Sequence, residues 1–267
     1  MPANRRAAWA RVDAVLEWTV RSLSGEWREV DIGWVVRTHA LPLVHSLNRL
    51  EVRAAADPAQ VVALADAHLG DLPYRHIEIG DEQAASALEQ ALVALGSGWK
   101  VDREVFMVLG EPSPQPARTG RTGAGGDVVV RLRTEETDEL MRRWLVEEGV
   151  GTAPGELDQL SEYNRREGAL WHEEVLGVRE AGRAVALTKS RMHDGVGWVE
   201  DVYTVPEARR NGYARLLVAT AVGLARAAGH ELTFIIADDN DWPKHLYASL
   251  GFETVGCTWT FHRDLSG

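Results

Sequence analysis

The run from Val199 to Ala214, Val-Glu-Asp-Val-Tyr-Thr-Val-Pro-Glu-Ala-Arg-Arg-Asn-Gly-Tyr-Ala, constrains this chain more than any other stretch. Its first half is rich in β-branched and aromatic residues and reads as a strand. Pro206 ends that strand, because proline cannot donate to a ladder. From Tyr213 to Ala228 apolar residues recur at helical spacing, and Gly229 closes the helix. Strand, tight loop and helix therefore follow one another with little room to spare. The first backbone N–H groups of a helix have no partner inside it and carry partial positive charge, so such a loop can cradle a phosphate or pyrophosphate. Gly212 lets the backbone approach an anion without a Cβ in the way.

Two carboxylates, Glu200 and Asp201, stand on the strand just upstream. Side chains alternate along a strand, so Trp198, Glu200, Val202 and Thr204 are expected to share a face, with Asp201 opposite unless a bulge intervenes. Further on, Asn240-Asp241-Trp242-Pro243-Lys244-His245-Leu246-Tyr247-Ala248-Ser249-Leu250-Gly251-Phe252 sets an Asn ahead of a Tyr that stands four residues before a Gly-Phe pair. One helix and one strand fit between the two segments.

The form Arg209-x-x-Gly212-x-Ala214, followed by this second segment, resembles the two signatures of the GNAT N-acetyltransferase superfamily. The resemblance covers roughly the second half of the chain. It implies an α/β (α+β) GNAT fold, a mixed sheet flanked by helices. It also implies acetyl-CoA as cosubstrate and an amine as acceptor. By resemblance, the backbone of Val202, Tyr203 and Thr204 pairs with the pantetheine arm as an extra strand would. Arg209 opens the cradle. The N–H groups of Arg210, Asn211, Gly212, Tyr213, Ala214 and Arg215 hold the pyrophosphate, and Asn240 reaches the pantetheine side. Tyr247 is the general acid that protonates the leaving thiolate. Glu200 is the candidate base, since the Glu-Asp pair looks like that of polyamine-type acetyltransferases; Asp201 is the reserve. The chain departs from the pattern at Arg210, where the family often has glycine. The expected reaction is direct attack by a small cationic primary amine in a ternary complex. The alternative is an acyl-CoA-binding module that senses without catalysis.

Bulk properties narrow the field. The formal net charge is −11; residues 1–110 carry −4, residues 127–267 carry −8 and the stretch between them +1. An acidic second half argues against nucleic acid and suits a cationic acceptor. The single cysteine, Cys257, rules out an intramolecular disulfide framework and fits a reducing cytoplasm. No apolar run is long enough to span a membrane. No His/Cys cluster has metal-ligand spacing, so no metal is expected. Trp144, Trp171, Trp198, Trp242 and Trp259 lie in the second half among carboxylates, an environment that suits a cation, although each alone is an ordinary core residue. GNAT proteins often pair, so a homodimer is a further expectation.

The organisation follows from the punctuation. Helices are expected over 3–23, 58–69, 82–95, 135–148, 155–168, 213–228 and 241–250. Strands are expected over 27–36, 47–52, 75–79, 99–109, 127–133, 171–180, 183–192, 196–205, 231–237 and 252–263. Residues 111–126, rich in Pro and Gly, read as a linker. The division is thus a smaller GNAT-like domain over 1–110, the linker, and a catalytic GNAT domain over 127–267. The first half parallels the second, but no glycine occurs between Trp34 and Leu69, so it lacks a cradle and reads as a degenerate copy.

Overall fold

The computed structural model describes residues 3–94, 98–110, 129–150 and 153–265. The expected linker, 111–126, lies outside the described residues. The chain forms two compact units. One draws on Met1–Val105, Asp238–Asp241 and Val255–Gly267; the other on Phe106–Ala237 and Trp242–Thr254.

The first unit begins with helix α1 (Ala3–Leu23) and a hairpin of β1 (Glu26–Val30) and β2 (Gly33–Arg37). One continuous strand over 27–36 was expected; instead Val30 pairs with Gly33 and Trp27 with Val36 around an Asp31-Ile32 turn. Gly33 explains the break. Its φ is +152°, and a Cβ there would lie 2.0 Å from the carbonyl oxygen of Glu51, so only glycine lets the neighbouring strand come this close. Next come β3 (Arg49–Val52), α2 (Pro58–Leu69), β4 (Tyr74–Ile79) and α3 (Glu82–Ala94). Helix α2 starts where the sequence places it: Asp57 accepts from the Ala59 N–H at 2.9 Å, and Pro58 occupies the first turn. Strand β3 runs parallel to β4. Strand β5 (Lys100–Leu109) leaves this unit at Val105.

The first unit is completed by the last strand of the chain. In β11 (Phe252–Asp264), Trp259 to Asp264 pair antiparallel with Ile79 to Tyr74 of β4. Phe261 is fully buried among Leu50, Ile77, Val61 and Leu88. Compactness therefore divides the chain differently from the expected 1–110 and 127–267. The physical reason is the free edge of β4, which needs a ladder partner and an apolar cover, and β11 supplies both.

The second unit holds β6 (Val130–Arg131), α4 (Thr134–Glu147), α5 (Glu156–Leu170), β7 (Glu174–Glu180), β8 (Arg183–His193) and β9 (Val196–Thr204). Helix α6 (Tyr213–Ala227), β10 (Leu232–Asp238) and α7 (Pro243–Ser249) follow. Its strands lie in the order β5-β10-β9-β8-β7-β6, with the end of β5 contributed by Phe106–Leu109. Strands β7, β8 and β9 are antiparallel, joined at Ala181-Gly182 and Asp194-Gly195; all four turn residues have positive φ, as two-residue hairpins of this twist demand. Strands β9 and β10 are parallel, with α6 as the crossover. Helix α6 buries Leu217, Val218, Ala221 and Ala225. It sits close to β9 because Gly197 carries no Cβ; one would lie 2.8 Å from Cβ of Ala225. A mixed sheet flanked by helices is the expected architecture.

Replacing Phe261 tests whether β11 belongs to the first core. We expect Phe261→Ala to cost about 3–5 kcal/mol in urea denaturation; a loss under about 0.5 kcal/mol, the range of ordinary surface substitutions, would show that the strand is not part of it.

Candidate active site

Strand β9 carries the candidate site, and its geometry turns on a bulge. Leu187 pairs with Tyr203 and Lys189 with Glu200, so one residue of β8, Thr188, stands against Asp201 and Val202. Asp201 has φ +51°, the left-handed region that a short polar side chain tolerates. The hydroxyl of Thr188 donates to the carbonyl of Glu200 at 2.9 Å and fixes the kink. Two consequences follow from the extra residue. First, the faces shift. Trp198 and Glu200 share the face of Arg191 and Lys189, as expected, but beyond the bulge Tyr203, opposite Leu187, takes that face rather than Val202 and Thr204. Asp201 also reaches it, since its carboxylate bonds Lys189. Second, β9 bends away from β10. Their parallel pairing runs from Leu232↔Val196 to Ile235↔Val199 and stops there. Val202, Tyr203 and Thr204 therefore lie on a strand edge that β10 does not cover.

Under Glu200 and Asp201 lies a buried ionic network that the sequence did not reveal. Arg191, fully buried, bonds Glu167 at 2.9 Å, Glu173 at 2.7 Å and the Glu200 carboxylate. Its guanidinium also sits over the Trp198 ring, 4.8 Å from the centroid. Burial alone would lower its pKa, yet Glu167, Glu173 and Asp201 hold it above the ordinary arginine value. Lys189, also buried, bonds Asp201 at 2.5 Å and Asn164 at 3.2 Å. Tyr163 donates to Glu167 at 2.6 Å. Two cations thus face the carboxylates of Glu167, Glu173, Glu200 and Asp201, and negative charge is in excess. Glu200 is the more accessible of the two strand carboxylates, at 27% against 11% for Asp201. Trp171 and Trp198 are core residues packed edge to face at 5.2 Å, whereas Trp242 is exposed.

The loop after β9 is tied down from outside. Arg209 donates through Nε to the Thr204 carbonyl at 3.0 Å and pairs with Glu147 of α4. Glu147 also accepts from the Tyr203 hydroxyl at 3.1 Å. Burial and that carboxylate push the Tyr203 phenol up, while the Arg209 bond holds Glu147 below the usual carboxylate range. Asn211 donates from its side chain to the Ala208 carbonyl at 3.3 Å. Arg210 and Gly212 both have positive φ, +68° and +86°. Arg210 thus adopts the left-handed backbone shape for which glycine is suited, and its Cβ makes that shape costlier than it would be for glycine. Its side chain is exposed. Gly212 precedes α6 with no side chain capping the helix, and a Cβ there would meet nothing within 4 Å. Backbone N–H groups in the first turn of a helix have no acceptor within the helix itself. The Tyr213 hydroxyl donates to Glu180 at 2.5 Å, and Arg215 donates to the Ser249 hydroxyl at 2.5 Å. These two side chains hold α6 in place.

Tyr247 lies on α7, buried, with its ring edge-on to Phe252 at 6.4 Å. Asn240 is exposed in the 238–241 turn, which groups with the first unit, and its N–H donates to Asp238 at 2.7 Å. Three histidines far apart in sequence, His45, His76 and His262, bring their ring nitrogens together in the first unit. Spacing along the chain could not show this, because a turn and two paired strands make the cluster. No helix among the described residues is long and apolar enough to cross a membrane.

Residues 138–252 match the model of the Acetyltransferase (GNAT) family. The match takes in the bulged strand, the Gly212 loop and Tyr247. Solved structures agree in fold. A conserved protein of unknown function from Staphylococcus epidermidis is similar at 12% identity and a TM-score of 0.66, over 90% of this chain and 94% of that one. A GCN5-related N-acetyltransferase from Kribbella flavida is similar at 20% identity and a TM-score of 0.55, over 100% and 97%. One from Sphaerobacter thermophilus is similar at 16% and 0.54, over 78% and 67%. No curated protein matches the chain.

The ionic network makes a stability prediction. Arg191→Met would strand the buried carboxylate of Glu167 and the half-buried one of Glu173, and we expect a loss of about 3–5 kcal/mol in chemical denaturation at neutral pH. A neutral outcome would mean that the network is dispensable.

Proposed function

We propose that the chain transfers an acetyl group from acetyl-CoA to the primary amine of a small cationic acceptor, by direct attack in a ternary complex. The observation that carries this reading is the pairing of an uncovered β9 edge with an open, uncapped helix start at Gly212. An extended pantetheine amide chain fits the first, and a pyrophosphate fits the second. The edge comprises Val202, Tyr203 and Thr204; the cradle runs from Arg209 to Arg215. Arg210, exposed and cationic, adds a side chain that can meet phosphate. Asn240 is assigned to the pantetheine side. In the first unit no glycine loop follows β3, so acyl-CoA is assigned to the second unit alone.

The chemistry is assigned as follows. An ammonium acceptor must lose a proton before it attacks, and Glu200, the more accessible carboxylate, takes that proton directly or through water. The amine nitrogen then bonds the thioester carbon, and the carbon–sulfur bond breaks. The departing thiolate is protonated by the Tyr247 hydroxyl, and the second proton of the attacking nitrogen passes through water to the Tyr247 phenolate, leaving an amide, free coenzyme A and a neutral Tyr247. Asp201 is engaged by Lys189 and is assigned a supporting role, holding negative charge beside the acceptor. The excess of carboxylates over cations supports a cationic substrate, as does the net charge of the second half.

The decisive assay supplies acetyl-CoA and a panel of amines to the full chain and reads free-thiol release. Transfer to cationic amines is the expected result. Binding of acetyl-CoA without transfer to any amine would favour the alternative, a sensing module. Tyr247→Phe should lower turnover at least about tenfold with little change in acetyl-CoA affinity; unchanged turnover would remove Tyr247 from the mechanism. Gly212→Asp keeps a residue that tolerates positive φ but places a carboxylate against the pyrophosphate. We expect it to weaken coenzyme A binding about tenfold or more in calorimetry, the equivalent of 1.4 kcal/mol. Equal affinity would mean that the phosphates lie elsewhere.

A further inference from the structure

The first unit contains a cluster of ionisable groups that the acyl-transfer chemistry does not use. His45 lies in a short helical turn, His76 on β4 and His262 on β11. His262 stands directly opposite His76 in the β4–β11 ladder. A ligand atom from each of the three lies within 4.8 Å of the other two, and among the described residues no other group of His, Cys, Asp or Glu does the same. The rings of His45 and His262 are 4.6 Å apart, and those of His45 and His76 5.7 Å.

We propose that His45, His76 and His262 form a site for a divalent transition ion, Zn2+, held by three neutral imidazole nitrogens with the remaining position left to water.

Hydrogen bonding is the first argument. A neutral imidazole brings one donor and one acceptor, and buried polar atoms in folded proteins almost always find partners. Here Nδ1 of His76 and Nδ1 of His262 are buried with no hydrogen-bond partner. Two such orphans on members of one three-histidine cluster are explained by a shared ligand that accepts electron pairs. The second argument lies behind His76. Its Nε2 faces the Glu78 carboxylate at 3.4 Å. Histidines that bind metal commonly bond a carboxylate through the other nitrogen, which fixes the tautomer and strengthens the ligand. Bonding to Glu78 through Nε2 leaves Nδ1 of His76 as the metal ligand.

Burial, with His76 and His262 alongside, pushes the His45 pKa down to about 3, and burial also lowers His262. Asp264 and Asp102 act on His262 in the opposite sense and bring negative charge toward the cluster, with Lys100 opposing them. The donor set is all nitrogen, which suits Zn2+, Cu2+ and Ni2+ and disfavours Ca2+ or Mg2+. A tetrahedral ion at about 2.0–2.1 Å from each nitrogen needs the ligands about 3.3 Å apart, so modest side-chain rotation closes the set. The ion would bridge three segments, including the strand that completes this unit, and so would stabilise it.

The test uses the tag-free full chain, stripped with a chelator and titrated with buffered Zn2+ in competition with a chromophoric chelator. One ion per chain is expected, with a rise in Tm. Co2+ in place of Zn2+ should give the intense visible bands of a four-coordinate nitrogen site. His45→Gln and His262→Gln should each weaken Zn2+ binding by at least about tenfold. His39→Gln, which changes an exposed histidine outside the cluster, should leave it unchanged. Absence of one-to-one binding, or equal affinity in the two cluster variants, would overturn the proposal. Should those variants fail to fold, the wild-type Co2+ spectrum still decides, because a weak six-coordinate spectrum would also overturn it.

Discussion

Between Leu187 and Lys189, strand β8 sets one residue against two of β9, and the extra residue at Asp201 shapes everything downstream. A regular ladder would have kept β9 beside β10 to its end and turned Glu200 and Asp201 to opposite faces. The bulge instead bends β9 away, so that Glu200 to Thr204 continue without the neighbour that Val196 to Val199 possess. It also brings both carboxylates to the side where Lys189 and Arg191 lie. Chain direction after the bulge then delivers the backbone to the Pro206–Ala208 turn and to the start of α6. One local irregularity therefore sets the open edge, the approach to the helix start at Gly212 and the placement of acidic groups. Its cost, a non-glycine residue at φ +51°, is offset by the Lys189 ion pair and the Thr188 hydrogen bond.

Lys189 and Arg191 matter for a related reason. Both are buried on a central strand, where an unpaired charge would be costly. Their carboxylate partners come from α5, from the segment before β7 and from β9. A buried ionic network of this sort contributes little net stability over an apolar core of equal volume, and its removal in part is what destabilises. Its presence is better understood as a constraint on geometry. It locks Glu200 and Asp201 in position and leaves the area acidic, which the proposed transfer to a cationic amine would use.

The sequence shows local features well. Gly212 and the apolar spacing after it locate α6, Pro58 and Gly70 bracket α2, and the pairs Ala181-Gly182 and Asp194-Gly195 mark the two hairpin turns. In each case the signal is a residue whose own backbone preference decides the conformation. What could not be read is non-local. Nothing in Asp31-Ile32-Gly33 announces a hairpin as strongly as Asp-Gly would, and the need for glycine there comes from the backbone of β3. The bulge depends on register with β8. Lys189 and Arg191, two residues apart on β8, share a face, but their partners lie on three other segments. His45, His76 and His262 carry no spacing signal at all, because their proximity is created by the β4–β11 pairing.

That pairing bears on how the first unit forms. Strand β11 has the same apolar alternation as any strand in the second half, so pattern alone assigns it to its sequence neighbours. Yet Trp259 and Phe261 fill the core made by β3, β4, α2 and α3. Ile79 must therefore wait for Trp259, 180 residues later, before its ladder is complete. Loop-closure entropy rises only slowly with length, so the arrangement costs little at equilibrium. Its effect falls on kinetics, since contacts of high sequence separation form late. Until β11 arrives, β4 presents an open edge, and the hydrophobic cluster beneath it is incomplete. A core that can close only when the last strand is in place makes the integrity of the C-terminal segment a condition for the stability of the N-terminal one.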